Sequence, residues 1–265
     1  MPVVTRLRTR AVNLLWFIAP FALLLAGWAI AVEVTGVPQR VFPTPGDVWD
    51  AAMGMLAEGA LFEHVWLSLQ RTAIGALLAA VVAIPFGILM GLSRPVAAYF
   101  EPILRFSVAL AGIAWIPLAT LWFGFGNRAV IFIIFNAVFF ALTYNAMLGV
   151  SRIAPDMHRA ARSLGAPRRR MFTEVYLPGA MPSIVTGLRV GMGYAWRGLI
   201  AAEIIATSAG LGYMLFLARR FYQTEVIVLS MIIIGLIWLA TDRLLLAPME
   251  RRTIERWGMV AGADR

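Results

Sequence analysis

The stretch SRIAPDMHRAARSLGAPRRRMFTEVYLP, residues 151–178, lies between two long apolar segments and predicts how the chain is organised. Residues 129–150 before it and residues 180–206 after it are each long enough to cross a bilayer, because a spanning helix needs about 20 apolar residues. Six arginines lie between these two segments. The stretch is therefore expected to be a basic loop at one face of a membrane.

The residues of this loop also predict its local structure. Pro155–Asp156 is a helix-start signal with Asp156 as the expected N-cap, and Gly165 predicts the end of that short helix. A second short helix is expected over about 168–176, leading to Leu177–Pro178. The residues alone leave two interpretations open: a surface that docks a partner, or a basic loop that only fixes topology.

Composition supports a membrane protein. The chain has 265 residues, of which 61% are hydrophobic and only 14% charged, whereas soluble domains carry about a quarter charged residues. Further apolar runs lie at 11–32, 73–92, 106–125 and 226–247. We therefore predict an all-α polytopic membrane protein with about six transmembrane helices, forming a single domain over 1–265.

The arginines predict the orientation. With both termini in the cytoplasm, 16 of the 23 basic residues, all of them arginines, lie in the inner segments and five in the outer ones, as the positive-inside rule favours. This rule accounts for the net charge of +9 without nucleic acid as a partner. The chain has no cysteine, which excludes disulfides and cysteine metal sites.

The loop resembles the EAA loop of ABC importer permeases. The shared pattern is A-A-x3-G-x9-V-x-L-P, formed by Ala160, Ala161, Gly165, Val175, Leu177 and Pro178. Segments 114–124, 163–170, 177–189 and 201–213 resemble the nitrate/sulfonate/taurine/bicarbonate branch of that family. The resemblance implies a type I, methionine-importer-like fold in the bacterial inner membrane.

The resemblance also assigns residues that contact an ATPase. They are Arg159, Ala160, Ala161, Arg162, Ser163, Leu164, Gly165 and Pro178. Arg159 stands where the family has a glutamate. At the expected third helical position it would lose a capping box and oppose the helix dipole, at a cost of about 0.3–1 kcal/mol.

The partners follow from the same resemblance. It implies two copies of this permease, or this chain with a close homologue, together with two ATPases and a periplasmic or lipid-anchored substrate-binding protein. The chain has no lysine and hence no phosphate-binding loop of the G-x-x-x-x-G-K-[ST] type. We therefore expect a transport subunit without enzymatic activity and without a cofactor of its own, with ATP and Mg²⁺ bound by the partner ATPase.

Three charged residues, Arg189, Arg197 and Glu203, lie inside the run at 180–206. Such charges are costly in a membrane and face a bundle interior or a wet cavity. Arg197, beside Trp196, is the preferred pathway residue because its guanidinium suits an oxyanion. Glu203 and Trp115 are further pathway candidates, and packing roles remain open for all four. For Glu203, a bond to neighbouring backbone or to an arginine such as Arg219 is expected.

The cargo is the least determined feature. Aliphatic sulfonates or taurine come first, and nitrate, cyanate, an aromatic acid or a vitamin precursor are alternatives. Two other function classes fit the sequence less well. An intramembrane enzyme lacks its motifs here, since neither H-E-x-x-H nor G-x-S-x-G occurs. An ATP-independent channel or secondary transporter would be favoured by inverted repeats, and none is evident.

Overall fold

The computed structural model describes residues 19–20, 23–38, 41–110 and 112–256, most of which are helical. The α-helices, in chain order, are α1 (Leu23–Thr35), α2 (Pro45–Ala57), α3 (Ala60–Leu92), α4 (Arg94–Ala109), α5 (Ile116–Phe123), α6 (Asn127–Ser151), α7 (Pro155–Ser163), α8 (Arg168–Arg170), α9 (Leu177–Ala206), α10 (Leu211–Arg220), α11 (Thr224–Thr241) and α12 (Ala247–Arg256). Three short segments join neighbouring helices: a 3₁₀ turn at Gly112–Trp115 and π-helical turns at Met171–Tyr176 and Asp242–Leu246.

Within the described residues, three continuous helices are long and apolar enough to cross a membrane: Ala60–Leu92, Asn127–Ser151 and Thr224–Thr253. Two bent pairs pass the same test. These are Arg94–Ala109 with Gly112–Phe123, at 98°, and Met171–Ala206 with Leu211–Arg220, at 50°. Of the expected run at 11–32, residues 19–20 and 23–32 lie within the described part of the chain, and α1 covers 23–32.

The run at 106–125, which is predicted to be a span, is divided between two helical segments. α4 ends at Ala109, and a new helical segment begins at Gly112. Pro117 lies in the first turn of α5, where a missing N–H costs nothing and the fixed φ suits a helix start. Hydropathy alone does not reveal this division, because both parts are apolar.

The chain forms two compact units. Residues 1–62 and 214–232 make the first, in which the Trp28 indole N–H donates to the carbonyl of Pro43 at 3.1 Å. Residues 63–213 and 233–265 make the second. The assignment of all 265 residues to a single domain stays a prediction.

Three helices form the centre of the second unit, with α6 packed between α3 and α9. Glycines on α3 lie against α6, so that a β-carbon at Gly87 would stand 2.6 Å from the β-carbon of Ala146 and one at Gly91 would stand 2.6 Å from that of Val150. Small residues of this kind let membrane helices approach closely. These contacts place the C-terminal ends of α3 and α6 side by side.

Glycines on the other side of α6 bring α9 equally close. A β-carbon at Gly187 would stand 2.5 Å from that of Asn145, and one at Gly191 would stand 3.0 Å from the α-carbon of Val138. Contacts further along α9 involve residues earlier in α6, so the two helices run antiparallel. We call the end of α6 and α9 that carries residues 152–176 the loop end, and the opposite end the far end.

Candidate functional site

The loop between α6 and α9 contains an exposed short helix, α7. Its N-cap is Ala154, with an extended backbone and no capping side chain, and Pro155 occupies the first helical position. The expectation that Asp156 is the N-cap is therefore wrong, because proline is already preorganised for the first turn. Arg159 consequently lies at the fifth helical position, and the capping-box argument for it fails. Its guanidinium lies 3.6 Å from the Asp156 carboxylate, an exposed pair that contributes little.

The C-terminus of α7 follows the expectation. Gly165 has φ +73°, and its N–H donates to the carbonyl of Arg162 at 3.0 Å, while the N–H of Ala166 donates to Ala161 at 3.1 Å. This pair of bonds is the Schellman motif, which requires a left-handed residue directly after the helix. Gly165 thus ends α7 sharply.

The second short helix does not stand apart as expected. Residues 168–170 are α-helical, residues 171–176 continue as a π-helix, and α9 follows without a break. Pro178 lies in the first turn of α9 and does not interrupt the chain of helical residues. The segment after Gly165 therefore leads straight into a long apolar helix.

Most of the residues assigned to partner contact lie on the surface. Those exposed are Arg159, Ala160, Arg162, Ser163, Leu164 and Gly165. Ala161 and Pro178 are half-buried. Leu164 is 87% exposed.

The first of the three charges in α9 has partners at the loop end. The Arg189 guanidinium binds both carboxylate oxygens of Asp242, at 2.7 and 2.8 Å, and Glu250 at 2.6 Å. This fork geometry is the strong, charge-assisted form of the arginine–carboxylate contact. Arg189 therefore holds α9 against the segment 242–256.

Glu203 is fully buried at the far end, with 0% exposure. Its carboxylate accepts from Arg71 at 2.6 Å, from the Ser68 hydroxyl at 2.8 Å and from the N–H of Gly212 at 3.0 Å. The predicted backbone contact is present, but the arginine is Arg71 rather than Arg219. These contacts are those of a packing ion pair, and they do not place Glu203 on a cavity.

The other residues of this buried cluster were not anticipated. Arg71 also donates to Asn127 at 2.8 Å and to the carbonyl of Ala209 at 2.7 Å, and Ser68 accepts from the N–H of Leu211 at 2.9 Å. The only signal in the sequence is an arginine directly before the run at 73–92.

Arg197 has no hydrogen bond or ion pair to any residue that the structure describes, unlike Arg189 and Glu203. It is exposed and lines a cavity of about 320 Å³. The polar groups there belong to Ser107, Asn136, Tyr194 and Arg197, and the remaining lining is mostly apolar. A free guanidinium beside a hydroxyl, an amide and a phenol is suited to bind a small oxyanion.

The two tryptophans proposed for the pathway pack against other rings. Trp196 is 6% exposed and lies 6.3 Å from Trp238 between ring centroids, and Trp115 lies 6.4 Å from Phe132. Both indole N–H groups are buried and find no acceptor in the described part of the chain. Neither tryptophan lines the Arg197 cavity.

Residues 83–245 match the family model of the binding-protein-dependent transport system inner membrane component. The chain belongs to this family. It is thus a membrane permease of the ABC importer class, a transport subunit, as the loop motif implied. The family implies an ATPase and a substrate-binding protein as partners.

Several relatives support the assignment. The permease is 42% identical over 72% of both chains to a putative ABC transporter permease of Methanocaldococcus jannaschii. It is 34% identical to the taurine transport system permease TauC of Escherichia coli, covering 83% of this chain and 82% of the relative. It is 30% identical to the nitrate import permease NrtB of Leptolyngbya laminosa, covering 84% and 82%.

A solved structure shows the same fold. The MetNI methionine ABC transporter matches with a TM-score of 0.55 at 22% identity, over 75% of this permease and 98% of the solved chain. The predicted all-α, type I importer permease fold is thereby confirmed.

Proposed function

We propose that this permease forms the translocation path for a small anion, aliphatic sulfonate or taurine first, in an ATP-driven importer. The observation that carries the proposal is Arg197, which lines a cavity of about 320 Å³ and has no ion-pair partner in the described residues. The planar guanidinium pairs with two oxygens of a sulfonate at once. Relatives that are named taurine and aliphatic sulfonate permeases support this choice.

Nitrate is the second candidate. A relative is named a nitrate import permease, and nitrate offers the same planar pair of oxygens to a guanidinium. Both candidate anions would bind Arg197 in the same way, so substitutions of Arg197 do not distinguish them. They are distinguished by which unlabelled anion competes with the labelled cargo for uptake.

The assembly that we propose contains two permease copies, two ATPases that bind ATP and Mg²⁺, and a periplasmic or lipid-anchored binding protein. The exposed helix α7 and the 87% exposed Leu164 provide the surface for an ATPase. With both termini in the cytoplasm of the inner membrane, the loop at 152–178 faces the ATPase. This orientation places most of the arginines inside.

Uptake by Arg197 variants tests the proposal. The complex of the permease with its ATPase and binding protein is reconstituted in liposomes and supplied with labelled taurine, with unlabelled ethanesulfonate and nitrate as competitors. Arg197→Gln removes a charge-assisted bond of about 1.5–3 kcal/mol, so uptake is expected to fall about tenfold or more. Arg197→Lys keeps the charge without the fork and is expected to lie between.

The matched control is Arg219→Gln, which neutralises an exposed arginine elsewhere. It is expected to transport like the wild type. Uptake that is unchanged in Arg197→Gln, in complexes that assemble normally and hydrolyse ATP, would show that Arg197 has no part in the path.

A further inference from the structure

A second polar pocket lies at the loop end of the same two helices. It has a volume of about 470 Å³ and lies between α6 and α9. Its polar side chains are Asn145 and Arg152 from the α6 side and Ser183 and Thr186 from α9. Gly149, Gly179 and Pro182 complete the wall.

The pocket offers several hydrogen-bond donors, one of them charged. Arg152 and Ser183 have no side-chain partner among the described residues, and the Asn145 amide donates one of its two N–H groups to the carbonyl of Ala141 at 2.8 Å. A guanidinium, a hydroxyl and an amide N–H are thus available together. Such a set suits an anion.

A carboxylate reaches the pocket wall through Thr186. Glu250 accepts from the Thr186 hydroxyl at 3.2 Å and from Arg189 at 2.6 Å. Arg189 also binds Asp242, so this group of one guanidinium and two carboxylates carries a net charge of −1. Among the described residues Arg152 is the charged side chain of the pocket wall that has no partner, and it is therefore the group that can attract an anion there.

The pocket lies on the same face of α9 as the Arg197 cavity. At 3.6 residues per turn, Thr186, Ser183 and Gly179 point within about 60° of Arg197. On α6, Ala141 lines the cavity and Asn145 lines the pocket one turn further on. Arg197 and Ser183 are fourteen residues apart, which is about 21 Å along a helix.

Between the two cavities the helices touch. Gly187 and Gly191 bring the backbone of α9 against Asn145 and Val138 of α6. The arrangement is therefore two polar cavities on the same face of α9, separated by a close helix–helix contact.

We propose that Arg152, Ser183 and Asn145 form a second anion site, from which the transported anion leaves at the loop end. This inference rests on the proposed function for the identity of the anion. The inference gives Arg152 a role in transport. Neutralising Arg152 is expected to slow release of the anion at the loop end without weakening binding of the anion at Arg197.

Equilibrium binding tests the site without reference to the cargo. Inorganic sulfate is titrated by calorimetry into the nucleotide-free complex in nanodiscs of phosphatidylcholine, which carries no net charge. Because the Arg197 cavity is itself proposed to bind an oxyanion, every protein in this titration, including the wild-type reference at position 152, carries Arg197→Gln. Arg152→Gln is expected to weaken binding at least tenfold, and Arg152→Lys to restore part of it. Arg94→Gln, which neutralises an exposed arginine at the start of α4, is the matched control and is expected to bind like the wild type.

A second arm identifies the source of the anion. In nanodiscs with phosphatidylglycerol, sulfate binding that is lost would show a lipid phosphate in the pocket and overturn the release site. Binding that persists there supports a soluble anion. Sulfate binding by Arg152→Gln equal to that of the wild type, or none by the wild type at millimolar sulfate, would also overturn the inference.

Transport then separates the two proposals. In the uptake assay, Arg152→Gln is expected to lower the maximal rate about fivefold with an unchanged KM for the loaded binding protein. Loss of uptake in Arg197→Gln together with a normal maximal rate in Arg152→Gln would refute the release site and leave the proposed function standing. If sulfate binding depends on Arg152 but the wild type imports no anion, the proposed function would be refuted and the anion site at Arg152 would stand.

Discussion

At the residue scale, the buried ion pair of Arg71 and Glu203 joins α3, α9 and the segment 209–212 at the far end. The two side chains are 6% and 0% exposed. Such a pair is not evidence of net stability, because desolvation offsets the attraction. Removing one partner, however, leaves a buried charge without compensation.

Arg71→Met is expected to destabilise the permease by about 3–5 kcal/mol. The double variant Arg71→Met with Glu203→Leu is expected to lose less than the two single losses added together, because no buried charge remains. Thermal unfolding in detergent measures all three. The exposed pair of Arg105 and Glu101 gives the control: Arg105→Met removes a contact of at most about 1 kcal/mol.

A loss for Arg71→Met no larger than that for Arg105→Met would contradict this account.

The sequence indicates Arg197 more readily than Arg71, and the reason is physical. Arg197 lies in the middle of an apolar run, where any charge needs an explanation. Arg71 lies before such a run and pairs with Glu203, 132 positions away, and hydropathy carries no information about that distance.

At the element scale, the short helix α7 depends on how it ends. Gly165 has φ +73° and no heavy atom within 4 Å of where a β-carbon would stand. A substitution there meets open space, so its cost comes from the backbone alone, about 1–2 kcal/mol for an L-residue in the left-handed region. Asparagine tolerates this region better than alanine or valine.

Gly165→Ala and Gly165→Val are therefore expected to lower the ATPase activity stimulated by the loaded binding protein, with Gly165→Asn closer to the wild type. Gly54→Ala, in the interior of α2 and equally open, is the control and is expected to be neutral. If activity followed side-chain size, with asparagine worse than alanine, a steric contact with the partner would replace the backbone explanation.

The same elements show where sequence patterns suffice. The end of α7 was predictable because a glycine followed closely by a proline is a local signal that a helix ends. Its start was not, because Pro155 and Asp156 both signal a helix start, and the proline took the first position. The π-helical residues 171–176 and the division of 106–125 depend on packing against neighbouring helices, which no local pattern contains.

At the scale of the whole molecule, charge and packing lead to one orientation. Gly91 of α3 contacts Val150 of α6, and Ala180 of α9 contacts Gly149 of α6. The residues that follow α3, those that follow α6 and those that precede α9 therefore all lie at the loop end. Arg94 and Arg152 directly follow the first two helices there, and the arginines of residues 159–170 complete the basic end. The positive-inside rule therefore predicts that the loop end faces the cytoplasm.

Reporter fusions test this orientation. A fluorescent protein that folds only in the cytoplasm is expected to be fluorescent at residue 160, and a phosphatase active only in the periplasm is expected to be inactive there. The two results are expected to be reversed at residue 223, between α10 and α11. Each site serves as the control for the other, since both fusions are expressed from the same chain. Phosphatase activity at residue 160 would show that the permease has the opposite orientation in the membrane. Arg197 would then lie on the cytoplasmic side of the Arg152 pocket, and α7 would be out of reach of any ATPase.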